Sequence, residues 1–341
     1  MAEWAASSSK WPPGDIRFSN NGLQRIDVQE KLKTVAVEKK SHSEGQRWYK
    51  GSLTKKGPRG VDVTKSLKIK SLVQRQLVIL DGATGTELQK RGLPAGVCPE
   101  IWCLENPEVI QDIHASYAKA GAQVVYTCTF GANRFKLKQF GAKKKAGSVN
   151  RELAQLARQA CGKKALVAGD IGPTGLFIEP FGPLSFEEAV DAFKEQARGL
   201  IDGGCDLIVI ETMIDIQEAR AALLAVKELG DIFTIASMTF ETDGHTLGGT
   251  PPEAALITLQ SLGADAVGCN CSTGPEQMAE YIAAMKPLAT VPLLAKPNAG
   301  LPRLEGLKTV FDMDPASFAA GARKLIAAGA NLLGGCCGTT P

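Results

Sequence analysis

The feature of this sequence that most constrains its fold is a series of eight short apolar runs, each separated from the next by an amphipathic stretch. The series begins near Leu77 and continues to the end of the chain. Such alternation is typical of repeated strand–helix units with a parallel sheet, whose strands are almost wholly apolar because both faces are covered. The eight predicted strands span residues 77–82, 123–129, 166–172, 206–212, 232–240, 265–272, 292–300 and 331–338.

The stretches between these runs carry helix signals. Asn106 and Pro107 fit the first positions of a helix. Ser185 and Glu188 have the spacing of a capping box, and Asp215 fits another N-cap. Further helical patterns occupy residues 148–161, 251–263, 274–288 and 314–328. Eight strands and seven helices predict a (β/α)8 TIM barrel, with an open doubly wound sheet as the alternative, since both folds have this order of elements.

The two ends of the chain depart from a complete barrel. A complete barrel has a helix after its eighth strand, whereas this chain ends four residues after Cys337, so we expect helix 8 to be missing from a truncated chain. Residues 1–70 hold 15 Lys or Arg against 7 Asp or Glu. Segments such as KSLKIKS predict a basic, disordered extension. The predicted domains are therefore an extension over 1–70 and a truncated barrel over 71–341.

Composition and charge limit the class of protein. The chain is 44% hydrophobic and 22% charged, which is ordinary for a globular protein. It has no apolar stretch long enough to cross a membrane and no apolar segment typical of a secretory signal. The nine cysteines are spread along the chain, which favours the reducing cytoplasm. The basic extension has no recognisable nucleic-acid-binding fold, so neither nucleic acid nor a membrane is an expected partner.

Three cysteines follow two of the predicted strands. Cys271 ends the sixth strand, and Cys336 and Cys337 end the eighth. Active sites of barrels lie at the C-terminal ends of the strands, so the three thiols are expected to converge. Neighbouring strand residues point to opposite faces, but the glycines around the cysteine pair let the backbone leave extended geometry. Three thiolates would leave the fourth position of a tetrahedral zinc open for substrate; the alternative is that these are small buried apolar residues.

A zinc ion held by three thiolates suits one kind of chemistry. Zinc lowers the pKa of a bound thiol and leaves a thiolate nucleophile at neutral pH. Alkyl transfer to sulfur is therefore the expected reaction class if a metal binds. Cys269, two residues before Cys271, is expected to share its strand face and to lie deeper in the barrel.

Four other polar residues lie at the ends of predicted strands, and each allows a structural as well as a functional interpretation. Asp81 fits a turn cap after the first strand, and Glu211 fits a partner for a lysine. Asn298 can shape the turn before a glycine, and Asp170 can orient a loop or a water molecule. The sequence pattern alone leaves these alternatives open.

Eight ordered motifs give the chain a specific resemblance to a known family. They are LDGATGTELQKRG, YTCTFGANRFKLKQFG, GDIGPTG, VIETMID, MTFETDGHTLGGT, GCNCSTGPE, KPNAGLP and GGCCGTTP. From about residue 77 to its end, the chain resembles the zinc-dependent homocysteine S-methyltransferase family. The resemblance is closest to the N-terminal homocysteine-binding module of cobalamin-dependent methionine synthases. It implies a (β/α)8 barrel, in agreement with the strand pattern.

The resemblance implies a role for each site residue. Cys271, Cys336 and Cys337 fall on the family's zinc ligands, which are also its catalytic residues. Asp81 and Glu211 match residues that hold the amino group of L-homocysteine.

The remaining implied contacts concern the other end of the substrate and the metal. The backbone at Gly82 and Ala83, with Thr86 nearby, matches the region that meets the carboxylate of homocysteine. Asn298 matches a residue that can occupy the open zinc position before substrate arrives.

The implied activity is methyl transfer to the thiolate of L-homocysteine, giving L-methionine in the cytoplasm. Thr212 follows the strand-4 glutamate, where the betaine-dependent branch has an aromatic residue, which favours methylcobalamin as donor. This donor, linked to 5-methyltetrahydrofolate, would be carried by missing cobalamin- and folate-binding modules or by partner proteins, and not by this segment alone. The alternatives are a methyltransferase that uses S-methylmethionine or betaine, and a truncated, non-catalytic zinc-binding module.

Overall fold

A computed structural model describes residues 63–305 and 308–341. The strands are β1 (Val78–Ile79), β2 (Val124–Tyr126), β3 (Leu166–Ile171), β4 (Leu207–Met213), β5 (Thr234–Met238), β6 (Ala266–Asn270), β7 (Leu293–Lys296), β8 (Arg303–Glu305), β9 (Lys308–Val310) and β10 (Ala330–Leu333). The helices are α1 (Val63–Arg75), α2 (Gly85–Lys90), α3 (Pro99–Glu105), α4 (Pro107–Ala120), α5 (Arg134–Gln139), α6 (Ala146–Cys161), α7 (Phe186–Asp202), α8 (Ile216–Lys227), α9 (Pro252–Ser261), α10 (Pro275–Met285) and α11 (Pro315–Ala328). None of these helices combines the length and apolarity needed to cross a membrane.

Eight parallel strands of the described chain form a closed ring. Their order is β1–β10–β7–β6–β5–β4–β3–β2, and a bridge between Leu80 and Val124 joins the two ends. The Asp81 N–H donates to the Val124 carbonyl at 3.0 Å beside this bridge. The predicted barrel is confirmed. Each strand overlaps its predicted run, and none extends more than one residue beyond it. The short antiparallel pair of β8 and β9 lies outside the ring and joins β7 to α11.

Apolar side chains cover both faces of the barrel wall. Inside the ring, residues such as Val209 and Leu294 form one cluster at the barrel axis. On the outer face, residues such as Ile208 and Ile210 pack with helix residues, including Phe193 of α7. Alternate residues of one strand therefore enter two different cores, which explains why the strands have almost no polar positions.

Helix α1 covers the N-terminal end of the barrel. Ile69 and Val73 are buried and belong to the same cluster as the inward-facing strand residues. Lys70 pairs at 2.9 Å with Asp265, which lies directly before β6. The helix thus closes the end of the barrel opposite to the strand C-termini.

This helix corrects the boundary predicted at residue 70. The segment KSLKIKS is helical and partly buried, and Lys65 pairs with Asp206 before β4 at 2.9 Å. The sequence pattern missed it because lysines outnumber its two buried apolar positions. The rest of the predicted extension, residues 1–62, lies outside the described residues.

The predicted helix caps are borne out at two of three positions. The Glu188 N–H donates to Ser185 Oγ in a complete capping box, and Asp215 caps α8. Asn106 precedes α4, but its side-chain amide donates instead to the Trp102 carbonyl at 2.9 Å. This asparagine closes α3 because only one residue separates the two helices.

The place of an eighth barrel helix is a groove. No helix follows β10 within the described residues. A cavity of about 530 Å³ lies there, lined by residues that include Tyr117 of α4 and Phe318 of α11. Ile79 of β1 remains 38% exposed beside it. The ring of strands is therefore complete while its helical layer has a gap.

Candidate active site

The structure brings the three predicted thiols together. The sulfur atoms of Cys271, Cys336 and Cys337 all lie within 4.8 Å of one another, and those of Cys271 and Cys337 are 4.0 Å apart. Sulfur atoms of a tetrahedral zinc site with bonds of about 2.3 Å are separated by roughly 3.8 Å. The spacing and the soft thiol donors therefore fit a metal ion, with one coordination position left over.

The two adjacent cysteines reach one point because they lie beyond the end of their strand. β10 ends at Leu333. The Cys336 N–H donates to the Pro297 carbonyl at 2.7 Å, and the Cys337 N–H donates to Asn298 Oδ1 at 3.0 Å. The loop after β7 thus fixes the backbone of both cysteines, and the side-chain oxygen of Asn298 accepts one of these backbone N–H groups.

The flanking glycines contribute in two different ways. Gly338 has a φ of 82°, a conformation that favours glycine, as the sequence predicts for this turn. Gly334 and Gly335 have no positive φ. They are required by close approach, because a Cβ at Gly334 would lie 2.8 Å from the Asp81 carbonyl oxygen and one at Gly335 would collide with the Thr339 side chain.

Cys271 is turned toward the other two thiols by an unusual backbone conformation. Cys271 and Ser272 have φ values of 63° and 59°, in the left-handed region that few non-glycine residues adopt. The Cys271 N–H donates to the Lys296 carbonyl at 3.0 Å, which holds this turn against β7. Cys269, by contrast, belongs to the core outside the barrel. The prediction that Cys269 lies below the metal site is wrong, because the left-handed turn breaks the strand alternation.

Hydrogen bonding shifts the pKa values of the three thiols in opposite directions. Hydrogen bonds with Cys336 and Cys337 lower the pKa of Cys271, while their bonds with Cys271 raise the pKa of the two partners. The cluster thus favours one thiolate stabilised by two thiols. Binding of a metal to this cluster would release the remaining thiol protons.

An asparagine connects the cysteines to the neighbouring strands. Asn270 Oδ1 accepts the Thr212 N–H at 2.9 Å, and its amide nitrogen donates to Thr212 Oγ1 at 2.7 Å. These two bonds hold Thr212 at a φ of 59°. Since Glu211 directly precedes Thr212, the same bonds fix the direction of Glu211 at the barrel mouth.

A pocket of about 300 Å³ opens beside the thiols. This volume is at the low end for small-molecule sites. Of the residues predicted to contact substrate, Gly82, Ala83, Thr86 and Glu211 line the pocket. Asp81 and Asn298 are buried but are not among its lining residues.

Four buried polar atoms in the pocket wall lack a hydrogen-bond partner within the described residues. They are Thr86 Oγ1, Tyr126 Oη, Asp170 Oδ1 and Glu211 Oε2. Buried polar groups in native proteins are rarely left unpaired. The residues around one small cavity thus include two carboxylates and two hydroxyls that each have an unpaired oxygen, which suits a polar ligand.

A buried lysine lies between two of the predicted carboxylates. Lys296 Nζ is 3.2 Å from Asp81 Oδ1 and 3.9 Å from Glu211 Oε2. It also lies 3.5 Å from the centroid of the Tyr126 ring. Burial acts to lower the pKa of Lys296, but Tyr126, Asp81 and Glu211 outweigh it and raise that pKa well above its usual value. The charged form of the lysine is therefore favoured in the wall of the site.

The carboxylates are shifted toward their neutral forms. Burial raises the pKa values of Asp81, Glu211 and Asp170, and Lys296 opposes the rise in all three. Asp170 is raised furthest above the ordinary range, by burial first and then by the charge of Glu211. A cation entering the pocket would relieve this repulsion.

A threonine near the end of the chain occupies one predicted substrate contact. The Ala83 N–H donates to Thr339 Oγ1 at 3.0 Å, and Thr339 Oγ1 donates to the Cys336 carbonyl at 2.7 Å. One of the backbone donors expected to meet a carboxylate is thus already bonded within the protein.

Three of these residues carry no sequence prediction: Lys296, Tyr126 and Thr339. Lys296 had a detectable signal, because it is a charge at the end of the apolar run LLAK in a strand buried on both faces. Tyr126 and Thr339 had none, since their roles depend on contacts with residues far away in the chain.

Comparisons with known proteins agree with this geometry. The family model described as Homocysteine S-methyltransferase matches residues 78–341. Methionine synthase of Mycobacterium leprae (strain TN) is 35% identical over 293 residues, covering 80% of this chain and 24% of that protein. Methionine synthase of Mycobacterium tuberculosis (strain ATCC 25618 / H37Rv) is 34% identical over 290 residues, covering 79% and 24%. The chain therefore spans about a quarter of the length of these curated relatives.

A solved structure extends the comparison to the whole barrel. The metallated form of the homocysteine methyltransferase MmuM from Escherichia coli superimposes with a TM-score of 0.67 at 27% identity. The match covers 80% of this chain and 96% of that one.

Proposed function

The chain belongs to the homocysteine S-methyltransferase family, and we propose that it transfers a methyl group to the thiolate of L-homocysteine, giving L-methionine. The observation that carries this proposal is the position of three converging thiols at the edge of a small pocket with unpartnered carboxylates and hydroxyls. A thiol with an α-amino acid head group has the complementary parts. Its sulfur fits the open metal position, and its charged end fits the polar wall.

We propose zinc as the metal. Cys271, Cys336 and Cys337 would hold it, with the substrate thiol as the fourth ligand. When bound, zinc would lower the pKa of that thiol, so that a thiolate is available at neutral pH. The protein's own contribution is to aim the three sulfurs through the left-handed turn at Cys271 and the acceptor group of Asn298.

The polar wall would orient the amino-acid end of homocysteine. The carboxylates of Asp81 and Glu211 would be the partners of its ammonium group. Thr86 Oγ1 and the backbone beside Gly82 and Ala83 are the expected partners of the carboxylate. Holding both groups fixes the direction of the sulfur toward the methyl donor.

The methyl donor is proposed from the methionine synthase relatives. We infer methylcobalamin, charged from 5-methyltetrahydrofolate, on modules or partner proteins outside this segment. The match to a quarter of each relative's length supports a division of the reaction among several modules.

A second donor class has its own support. The barrel covers 96% of MmuM, a homocysteine methyltransferase, so a homocysteine methyltransferase of about this size exists. S-methylmethionine or betaine as a free donor is therefore the alternative. The remaining alternative is that the chain is a non-catalytic zinc-binding module.

The test combines metal content with donor choice. The purified chain is expected to bind one zinc, to lose it in Cys271→Ala and to keep it in Cys269→Ala, whose thiol lies in the outer core. The zinc-loaded chain is then incubated with homocysteine and methylcobalamin, S-methylmethionine or betaine in turn, and methionine is measured. A folded chain without zinc would refute the proposal. Bound zinc without methionine from any donor would favour the non-catalytic module.

A further inference from the structure

One segment of the described chain has a charge opposite to that of the rest. Residues 134–151, which form α5, the loop after it and the start of α6, hold seven Lys or Arg and no Asp or Glu. We call them the basic segment. The rest of residues 63–341 holds 20 Lys or Arg against 29 Asp or Glu, a net charge of −9. A concentrated charge of one sign attracts partners of the opposite charge.

Part of this charge is not neutralised by the protein itself. Arg134 pairs with Glu195 at 2.9 Å, and Lys144 pairs with Glu152 at 2.8 Å. Three other lysines of the basic segment are exposed and have no acidic residue within ion-pair distance in the part of the chain that the structure describes: Lys138, Lys143 and Lys145. The surface therefore keeps several unpaired positive charges.

The lysines of the loop stand where positive charge is unfavourable for the fold. Residues 143–145 directly precede α6, a helix of 16 residues, and the N-terminus of a helix carries partial positive charge. Lys145 is the N-cap residue but makes no side-chain cap hydrogen bond, and the first turn has no acidic residue. Acidic or N-capping side chains would be more stable here. Local choices that oppose the fold occur in native proteins mainly at functional sites.

Two exposed phenylalanines accompany the lysines. Phe140 directly follows α5 and is 48% exposed, and Phe181, in the loop after β3, is 87% exposed. This loop lies beside α5, because a Cβ at Gly175 would be 3.5 Å from Lys136 Cε. Its one acidic residue is Glu179, so the combined surface remains basic. Aromatic side chains are enriched in protein–protein interfaces, which indicates a protein as the partner.

The basic segment lies at the same end of the barrel as the candidate active site. α5 follows the C-terminal end of β2. Lys136 Nζ lies 4.8 Å from the centroid of the Phe130 ring, and Phe130 lines the pocket beside the thiols. A protein that docks on α5 and the neighbouring loop would therefore be held at the mouth of this pocket.

We propose that the basic segment, with Phe140 and Phe181, is the docking surface for an acidic face of the protein or module that carries the methyl donor. The inference rests on the proposed function, which places the donor outside this segment of chain. Residues 1–62 are not a complementary partner, because they hold 12 Lys or Arg against 7 Asp or Glu. A nucleic acid also fits the lysines, but methyl transfer to the thiol of an amino acid does not require one.

The experiment uses two acidic peptides of equal charge as probes. Labelled peptides of repeated Glu-Glu-Leu-Glu units and of repeated Glu-Glu-Ser-Glu units are titrated with the full-length chain at physiological ionic strength, and fluorescence anisotropy gives each Kd. The wild type is expected to bind both, and the leucine peptide about threefold more tightly. Combining Phe140→Ala with Phe181→Ala should remove this preference. Combining Lys138→Glu, Lys143→Glu and Lys145→Glu should raise both Kd values about tenfold or more.

A matched triple variant reverses three charges at the other end of the barrel. The exposed lysines used for it lie at the end of α4 and between α6 and β3: Lys119, Lys163 and Lys164. Their change to glutamate should alter each Kd by less than about threefold.

A stability measurement separates docking from a structural role. Combining Lys143→Gln with Lys145→Gln should weaken peptide binding but raise Tm by about 1–3 °C, because it removes positive charge from the N-terminus of α6. A lower Tm would show that these lysines support the fold, which contradicts the inference.

The remaining outcomes distinguish this inference from the proposed function. If the wild type binds neither peptide, if both triple variants weaken binding equally, or if the phenylalanine variant keeps the preference for leucine, the docking surface is wrong while the proposed function stands. Tighter binding of a single-stranded oligonucleotide of the same charge, or a changed oligomeric state in the first triple variant, would assign the surface to nucleic acid or to a second copy and overturn the inference. If the chain binds the peptides but no zinc, the role in methyl delivery fails with the proposed function.

Discussion

At the scale of single residues, backbone conformation decides where the sulfur of Cys271 points. Strand alternation alone would place Cys271 on the same outer face as Cys269. The left-handed conformation of Cys271 and Ser272 turns the thiol to the barrel mouth instead. Such conformations cost free energy and persist only where surrounding contacts determine them, as the bond to the Lys296 carbonyl does here.

Burial of ionisable side chains also has effects away from the site. His114 of α4 is 1% exposed, and its Nε2 has no partner within the described residues. Burial lowers its pKa to about 4 from an ordinary value of 6.5. The histidine is therefore neutral in the folded state at pH values where the unfolded chain is already protonated.

We predict that this histidine makes the fold acid-sensitive. Between pH 6.5 and about 4 the unfolded state binds the extra proton, so stability is complete above this window and is lost as the pH falls through it. The pH dependence of wild-type unfolding should be steeper than that of His114→Gln by up to about 1.4 kcal/mol per pH unit. Urea unfolding from pH 4.5 to 7.5 measures both slopes. Equal slopes would show that His114 does not titrate in this way.

At the scale of elements, α1 shows how a polar-looking segment becomes part of the core. Its lysines pair with aspartates before the strands, and these pairs are partly exposed, so each contributes little. Two apolar side chains, Ile69 and Val73, reach the cluster inside the barrel. Burial of apolar surface is therefore the main term that holds the helix in place.

We predict that α1 stabilises the barrel through these two side chains. Ile69→Ala should lower the free energy of unfolding by about 2–4 kcal/mol, because it leaves a cavity at the end of the barrel axis. Leu67, two residues earlier in the same helix, is 59% exposed, and Leu67→Ala should change stability by less than about 0.5 kcal/mol. Denaturant unfolding compares the two variants, and similar effects would mean that α1 does not close the barrel.

At the scale of the whole molecule, the cluster of three thiols joins distant parts of the chain. Cys271 follows β6, and Cys336 and Cys337 follow β10, with β7 between these two strands in the barrel. A bound metal would thus connect the last strand to the earlier part of the wall. This matters because the helical layer beside β10 has a gap.

We predict that zinc stabilises the folded barrel in addition to lowering the pKa of the substrate thiol. A ligand present at a thousand times its Kd stabilises the folded state by about 4 kcal/mol, if it does not bind the unfolded chain. Removal of zinc with a chelator should therefore lower Tm, and added zinc should restore it. Cys336→Ser should show neither change. If the wild-type Tm does not respond to zinc, metal binding does not stabilise the folded barrel.

The sequence by itself determined the barrel and the convergence of three thiols in this protein. Strand and helix periodicity fixes the order of elements, and chain order places Cys271, Cys336 and Cys337 at the C-terminal ends of nearby strands. These properties are local, so a pattern along the chain contains them.

Only the tertiary structure decided which polar groups face the pocket. Asp81 pairs with Lys296, which is 215 positions away, whereas Asp170 and Glu211 line the pocket and each have one buried oxygen without a hydrogen-bond partner in the described residues. The packing of α1 into the barrel end depends in the same way on side chains of several strands. Electrostatic pairing and burial depend on distances between residues far apart in the chain, and those distances exist only after the barrel has closed.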